Sequence, residues 1–417
     1  MFNRTTSSRK RRIPQALTGT LLALVSAGLA LLALELGARF LPPPYPVESG
    51  RIFQCDDMMG WTGVPDFEGV FEDPNFRQDL HFNALGMHDT EHALAKTPDT
   101  TRILMLGDSF VHAVQVDEAS TAHQVLEERL NNQAKTSRFE VISGGVVNWG
   151  ANQQLIFYRA VGRRFQADLV LLLFYIGNDF LDNLPGNALT VKGFNCYAPY
   201  LALCEGQLAA APLTYAPGLS RLDQNCSPIR RVLINGLGRL YQHSRLYQQL
   251  EPLIRTNRPR QQFGEAYTSP YSALYFTTDE AELEQAWQIT EATLAQLRQE
   301  VEADGAQFAV ALISPEIVVR LARLSPAEQE AFLQTNPIFA EAQIDRPNQR
   351  LADFLNGQAI PFIDLTGPMI DHAAATGLPL YLVGEGHWTA EGNRVAGETL
   401  AQWLLENDFP ASGVTSD

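Results

Sequence analysis

The chain has 417 residues, 45% of them hydrophobic, and a formal net charge of −16. That length and composition admit one large domain with attachments and a sizeable core. The acidic balance argues against a nucleic-acid partner, which needs a clustered basic face, but it selects no substrate.

The first dozen positions hold Arg4, Arg9, Lys10, Arg11 and Arg12. An uncharged apolar run from Ala16 to Leu34 follows. As a helix it spans roughly 28 Å, close to the hydrocarbon thickness of a bilayer. Basic residues ahead of the run favour a cytoplasmic N-terminus. We therefore expect a basic cytoplasmic tail over 1–15, a single-pass transmembrane anchor over 16–41 and a periplasmic or otherwise extracytoplasmic remainder. A cleaved signal peptide is the alternative. Small residues at Gly37-Ala38 permit cleavage, although a signal's apolar region is shorter, about 7–15 residues. Glu35 and Arg39, four apart, are spaced to pair at the outer interface.

Pro42-Pro43-Pro44 and Pro46 form a stiff spacer. With it, residues 42–100 read as a linker and covering segment, rich in turns and in aromatics such as Trp61, Phe67, Phe71 and Phe76. Irregular structure or short strands are expected there. The run Ile103-Leu104-Met105-Leu106 ends at Gly107 and fits a buried parallel strand. An amphipathic helix is expected over about 120–132, a second strand at Val141-Ile142, a helix over Ala151 to Arg163, and a third strand over Leu169 to Tyr175.

Thr277-x-x-Glu280 is a capping-box signature opening a helix that carries Leu283, Trp287, Leu294, Leu297 and Val301 on one face. Gly305 suits its stop. Strands follow at Phe308 to Ile313 and Pro361 to Ile363, and a last helix over about 390–405 has Thr389 as N-cap. This alternation predicts an α/β domain over 101–410 with helices on both faces of a parallel sheet. Residues 181–276 break the rhythm and read as an insertion beside the site. The four cysteines, Cys55, Cys196, Cys204 and Cys226, form no CxxC, so a zinc site has little support. The last three lie within one segment, where one or two bridges fit an extracytoplasmic location, with buried free thiols as the alternative.

Four short stretches carry chemistry. Gly107-Asp108-Ser109 sits where the first strand ends, at the edge where parallel sheets bind ligands. Ser143-Gly144-Gly145-Val146-Val147-Asn148-Trp149-Gly150 follows the second strand, and its glycines allow close backbone approach. Gly177-Asn178-Asp179 closes the third, and an Asn amide is a donor for a developing oxyanion. Glu385-Gly386-His387-Trp388 precedes the last helix and pairs a general base with a carboxylate able to orient it. Each alone is equally an ordinary turn. The chain has 8 His, and His112, three residues beyond Ser109, is the rival base.

Together and in this order, the four stretches resemble the blocks of the SGNH/GDSL hydrolases, over roughly residues 100–180 and 305–405. "GWTGVPDFEG" at 60–69 and "FNALGM" at 82–87 resemble, more loosely, the leader of membrane-anchored members. The resemblance implies a three-layer α/β/α, flavodoxin-like sheet. It implies Ser109 as nucleophile, His387 as base, and an oxyanion hole from the Ser109 N–H, the Asn148 backbone and the Asn178 amide. Two positions depart from the pattern. Asn148 stands where Gly is usual, and Glu385 stands near the place of the usual Asp, so either Glu385 orients His387 or a Ser–His dyad operates with less help.

The implied reaction is hydrolysis of a carboxylic ester through an acyl-enzyme, with no metal or organic cofactor. The expected partner is an ester-bearing small molecule, lipid or polysaccharide, O-acetylated polysaccharide first among them. An O-acyltransferase, a lipase or thioesterase, and an inactive glycan-binding or assembly module are the alternatives.

Overall fold

The computed structural model describes residues 15–41, 52–133, 138–184, 187–191, 194–201, 281–336 and 342–409, with short pieces at 203–204, 207–208, 213–214, 232, 244–247, 249–250 and 339. The basic residues Arg4 to Arg12, the proline spacer, the Thr277-x-x-Glu280 box, Cys226 and most of the insertion lie outside the described residues.

A helix runs from Gln15 to Ala38. Its Gly19–Ala38 stretch, 20 residues with mean hydropathy 2.1, is long and apolar enough to cross a membrane. Its side chains are almost wholly exposed, with Leu21, Leu24 and Leu29 each above 60%. That exposure belongs to an apolar solvent or a partner, not to a globular core. The expected Arg39–Glu35 pair is present, with Nε 3.4 Å from Oε1.

Five strands form the central sheet: β1 (Thr100–Gly107), β2 (Arg138–Gly145), β3 (Leu169–Tyr175), β4 (Gln307–Ile313) and β5 (Phe362–Asp364). Their order is β5-β4-β3-β1-β2, and every pair is parallel. Alternate side chains serve opposite faces because strand side chains have period two. Leu104, Leu106, Leu172 and Leu312 enter one core, and Ile103, Met105, Leu171 and Ala311 enter the other. Helices Ala151–Ala160 and Ala281–Ala303 supply Leu155, Trp287 and Leu294 to the first core. Helices Ala122–Gln133, Thr366–Thr376 and Ala390–Glu406 supply Leu126, Met369 and Leu400 to the second. The expected α/β architecture is thus the observed one: a parallel sheet between two helical layers.

Two antiparallel hairpins precede the sheet. They are Phe53–Asp56 with Gly60–Gly63, and Glu68–Asp73 with Phe76–His81. They are attached covalently and electrostatically. Cys55 and Cys196 form a disulfide across a separation of 141 residues, Cα atoms 5.3 Å apart. This differs from the expectation of bridges confined to the segment holding Cys196, Cys204 and Cys226. Spacing along the chain does not report that the first hairpin lies against the strand Phe194–Tyr197. Cys204 is disulfide-bonded as well. Behind the hairpins, the fully buried Asp89 accepts from the Gln124 side chain at 3.1 Å and the Ser143 N–H at 2.8 Å. His92 lies between Asp89 Oδ2, at 3.1 Å, and Glu140 Oε1, at 3.0 Å.

Two measurements test this attachment. A Cys55→Ser/Cys196→Ser variant is expected to lose about 2–4 kcal/mol of unfolding free energy in urea titration, because the bridge restricts a long loop of the unfolded chain. The second concerns His92. Burial opposes its protonation, but the hydrogen bonds and charges of Asp89 and Glu140 outweigh that and raise it from 6.5 to about 9. A raised folded-state value adds stability that is complete below pH 6.5 and is lost as pH rises through about 9. Denaturation midpoints at pH 6 and pH 9.5 should therefore fall further apart in the wild type than in His92→Gln.

Candidate active site

β1 ends at Gly107, and the chain turns at once into a short helical turn, Ser109–His112. Asp108 caps that turn, its carboxylate accepting from the Phe110 N–H at 2.9 Å. A Cβ at Gly107 or Gly145 would collide with Val111, so these glycines let the ends of β1 and β2 close around the turn. Ser109 is left 6% exposed at the carboxyl edge of the sheet.

His387 reaches it from the far end of the sequence. Its Nε2 lies 2.6 Å from Ser109 Oγ. Its Nδ1 is hydrogen-bonded to Glu385 Oε1, and the other Glu385 oxygen accepts from the His387 N–H at 2.9 Å. A carboxylate only two residues from its imidazole needs a sharp backbone reversal. Gly384 and Gly386 supply it, with φ of +80° and +90°. The loop is closed by the Leu382 N–H donating to His387 O at 2.8 Å, and the Tyr381 hydroxyl fastens it to Ser314 O at 2.9 Å. The Phe110 ring packs on the imidazole with centroids 5.2 Å apart. Burial pushes the Glu385 carboxyl up, but the hydrogen bond and charge of His387 prevail and hold it below its usual value.

The structure therefore brings Ser109, His387 and Glu385 into one hydrogen-bonded chain, with Glu385 on the Nδ1 side of the imidazole. His112, the rival base, is fully buried against the Phe53 and Phe82 rings, centroids 5.7 and 4.9 Å away. Burial, reinforced by His88, pulls its pKa down to about 3.

Asn148 adopts φ +59°, the left-handed geometry that the usual glycine would take freely. The Val147 carbonyl accepts from Trp61 Nε1 at 2.7 Å, and the Asn148 carbonyl accepts from Asn187 Nδ2 at 3.1 Å. Asn178 lies just past β3 and donates through Nδ2 to Asp182 Oδ2 at 2.6 Å. An amide nitrogen has two hydrogens, so one remains for another acceptor.

Sequence reasoning did not single out the acids around this edge. Asp108, Asp179 and Asp182 are all buried, and Ser109 Oγ lies 3.3 Å from Asp108 Oδ2. Burial raises Asp108 to about 6. Burial, then the charge of Asp108, raises Asp179 and Asp182 well above the usual carboxylate range. Three Asp residues within or just after the motifs were the available signal. Their burial was not readable, because Asp is ordinarily a surface residue.

No family model matches the chain, and no curated protein matches it. Solved structures similar to it include a lipase/acylhydrolase from Enterococcus faecalis, at 10% identity and TM-score 0.34, covering 74% of this chain and 96% of that one. An acetyl xylan esterase, AlAXEase, is similar at 9% identity and TM-score 0.37, covering 73% and 98%. A GDSL-like lipase from Bacteroides thetaiotaomicron is similar at 11% identity and TM-score 0.33, covering 74% and 89%. With TM-scores this low, any chemistry has to be argued from the chain's own side chains.

The two histidines can be told apart in solution. A fluorophosphonate probe is expected to label wild type and His112→Leu alike, whereas His387→Gln should abolish labelling, because only His387 faces the serine oxygen.

Proposed function

We propose that the chain is a serine carboxylic-ester hydrolase of the SGNH/GDSL kind. The observation that carries this reading is the 2.6 Å contact between Ser109 Oγ and His387 Nε2, with Glu385 behind the imidazole. A serine hydroxyl is a poor nucleophile until a base accepts its proton, and His387 is placed to do so. Glu385 fixes the tautomer that leaves Nε2 free to accept and stabilises the imidazolium once formed.

Attack on an ester carbonyl creates an oxyanion. The Ser109 N–H, the Asn148 N–H and the free amide hydrogen of Asn178 are its proposed donors. One such donor is typically worth about 3 kcal/mol of the barrier. His387 then returns its proton to the leaving alcohol. A water, activated by the same imidazole, attacks the acyl-enzyme and releases the acid.

The Gly19–Ala38 helix supports the matching location: residues 16–41 anchor the chain in a membrane and the 101–410 domain works on the extracytoplasmic side. There it would meet O-acetyl groups of envelope polysaccharide, the substrate class we propose.

The test combines hydrolysis of p-nitrophenyl acetate and of acetylated glycan with fluorophosphonate labelling. Wild type should turn over and label. Ser109→Ala should lose both, its rate falling by at least about 10³-fold, and Glu385→Gln should lower kcat by about 10²–10⁴-fold. A wild type that neither labels nor cleaves any of these esters would sink the proposal.

A further inference from the structure

We infer that Trp61 and Asn187 are positioning residues that fix the peptide groups on either side of Asn148, so that its N–H is held ready as an oxyanion donor. The inference rests on the ester-hydrolase reading above and adds two residues from outside the sheet domain's motifs.

The geometry is that of a planar trans peptide, in which C=O and N–H point in opposite directions. The Asn148 N–H shares its plane with the Val147 carbonyl. Trp61 Nε1 donates to that carbonyl at 2.7 Å, so it sets the direction of the N–H. The next plane begins at the Asn148 carbonyl, which accepts from Asn187 Nδ2 at 3.1 Å. With both planes held, the φ of +59° at Asn148 is fixed as well. This matters because Asn, unlike glycine, tends to leave left-handed geometry when nothing holds it there.

The brace is built rather than incidental. Trp61 is 0% exposed, and a buried indole N–H needs an acceptor. Trp149, on the far side of Asn148, returns the contact by donating its own Nε1 to the Trp61 carbonyl at 3.0 Å. The Asn187 amide also reaches the Asp182 carbonyl at 3.4 Å. It thereby ties the Asn148 loop to the turn whose Asp182 side chain holds Asn178. Trp61 and Asn187 come from different segments, the covering hairpin and the start of the insertion. The Cys55–Cys196 disulfide joins those same segments.

The test uses the full chain with Trp61→Phe, which keeps the ring and removes the donor, and with Asn187→Ala. Each should lower kcat on p-nitrophenyl acetate by on the order of 10-fold, less than the loss of a donor itself, with KM nearly unchanged. Affinity for a trifluoromethyl-ketone transition-state analogue should fall in parallel with kcat/KM, while fluorophosphonate labelling of Ser109 persists. Wild-type kcat and analogue affinity in both variants, with or without a lower Tm, would overturn the inference and leave the hydrolase reading standing. A wild type without esterase activity or labelling would instead overturn that reading and this one with it. Should Trp61→Phe fail to fold, Asn187→Ala decides by the same readouts.

Discussion

The hydrogen bond from Ser109 to His387 joins residues 278 positions apart, and most of the architecture bears on whether it forms. The serine is fixed by β1, because Gly107 ends the strand and Asp108 caps the turn that follows. The histidine is fixed indirectly. Its loop leads into the helix Ala390–Glu406, and that helix packs against Ala122–Gln133. Gly397 allows close approach there, since a Cβ would strike the Ala122 carbonyl and Val125. Asn393 accepts from the Ala122 N–H at 3.1 Å, and Gln115 donates to the Trp388 carbonyl at 3.1 Å. The last helix is therefore registered against the first crossover, and the imidazole arrives over the serine as a consequence.

Electrostatics divides the molecule into two kinds of buried acid. Asp89 is surrounded by donors and lies against His92, so it stays charged and holds the covering segment to β2. Burial, and after it the negative charge of Asp108, drives Asp179 and Asp182 toward the neutral form. Desolvation alone disfavours charge in both places, and partners decide the outcome. Charge serves attachment at the first site. At the second, the like charge of Asp108 adds to burial.

The apolar helix is also attached to the rest of the chain. Glu35, near its end, accepts from the Ser244 hydroxyl at 2.8 Å and from the N–H groups of Arg245 and Leu246 at 2.9 and 3.0 Å. Those residues belong to the segment read as an insertion. A single carboxylate thus links the span and the insertion, where sequence spacing alone had assigned Glu35 to Arg39.

Read residue by residue, the chain already shows its strands and their polarity. Ile103 to Leu106 and Leu169 to Tyr175 are apolar runs of strand length, and such runs are local facts. It also marked Ser109, Asn178 and His387, because each lies at the end or start of an element legible in its neighbours. Glu385 was legible for the same reason, two residues from its partner. Folding was needed to show that Cys196 pairs with Cys55, that His112 is sealed among rings, that the Trp61 indole donates to the Val147 carbonyl and that three Asp side chains lie buried near Ser109. Periodicity and capping depend on residues a few positions apart, so the chain spells them out. Pairing, burial and peptide orientation depend on which distant surfaces meet, and that is fixed only when the two cores close on the sheet.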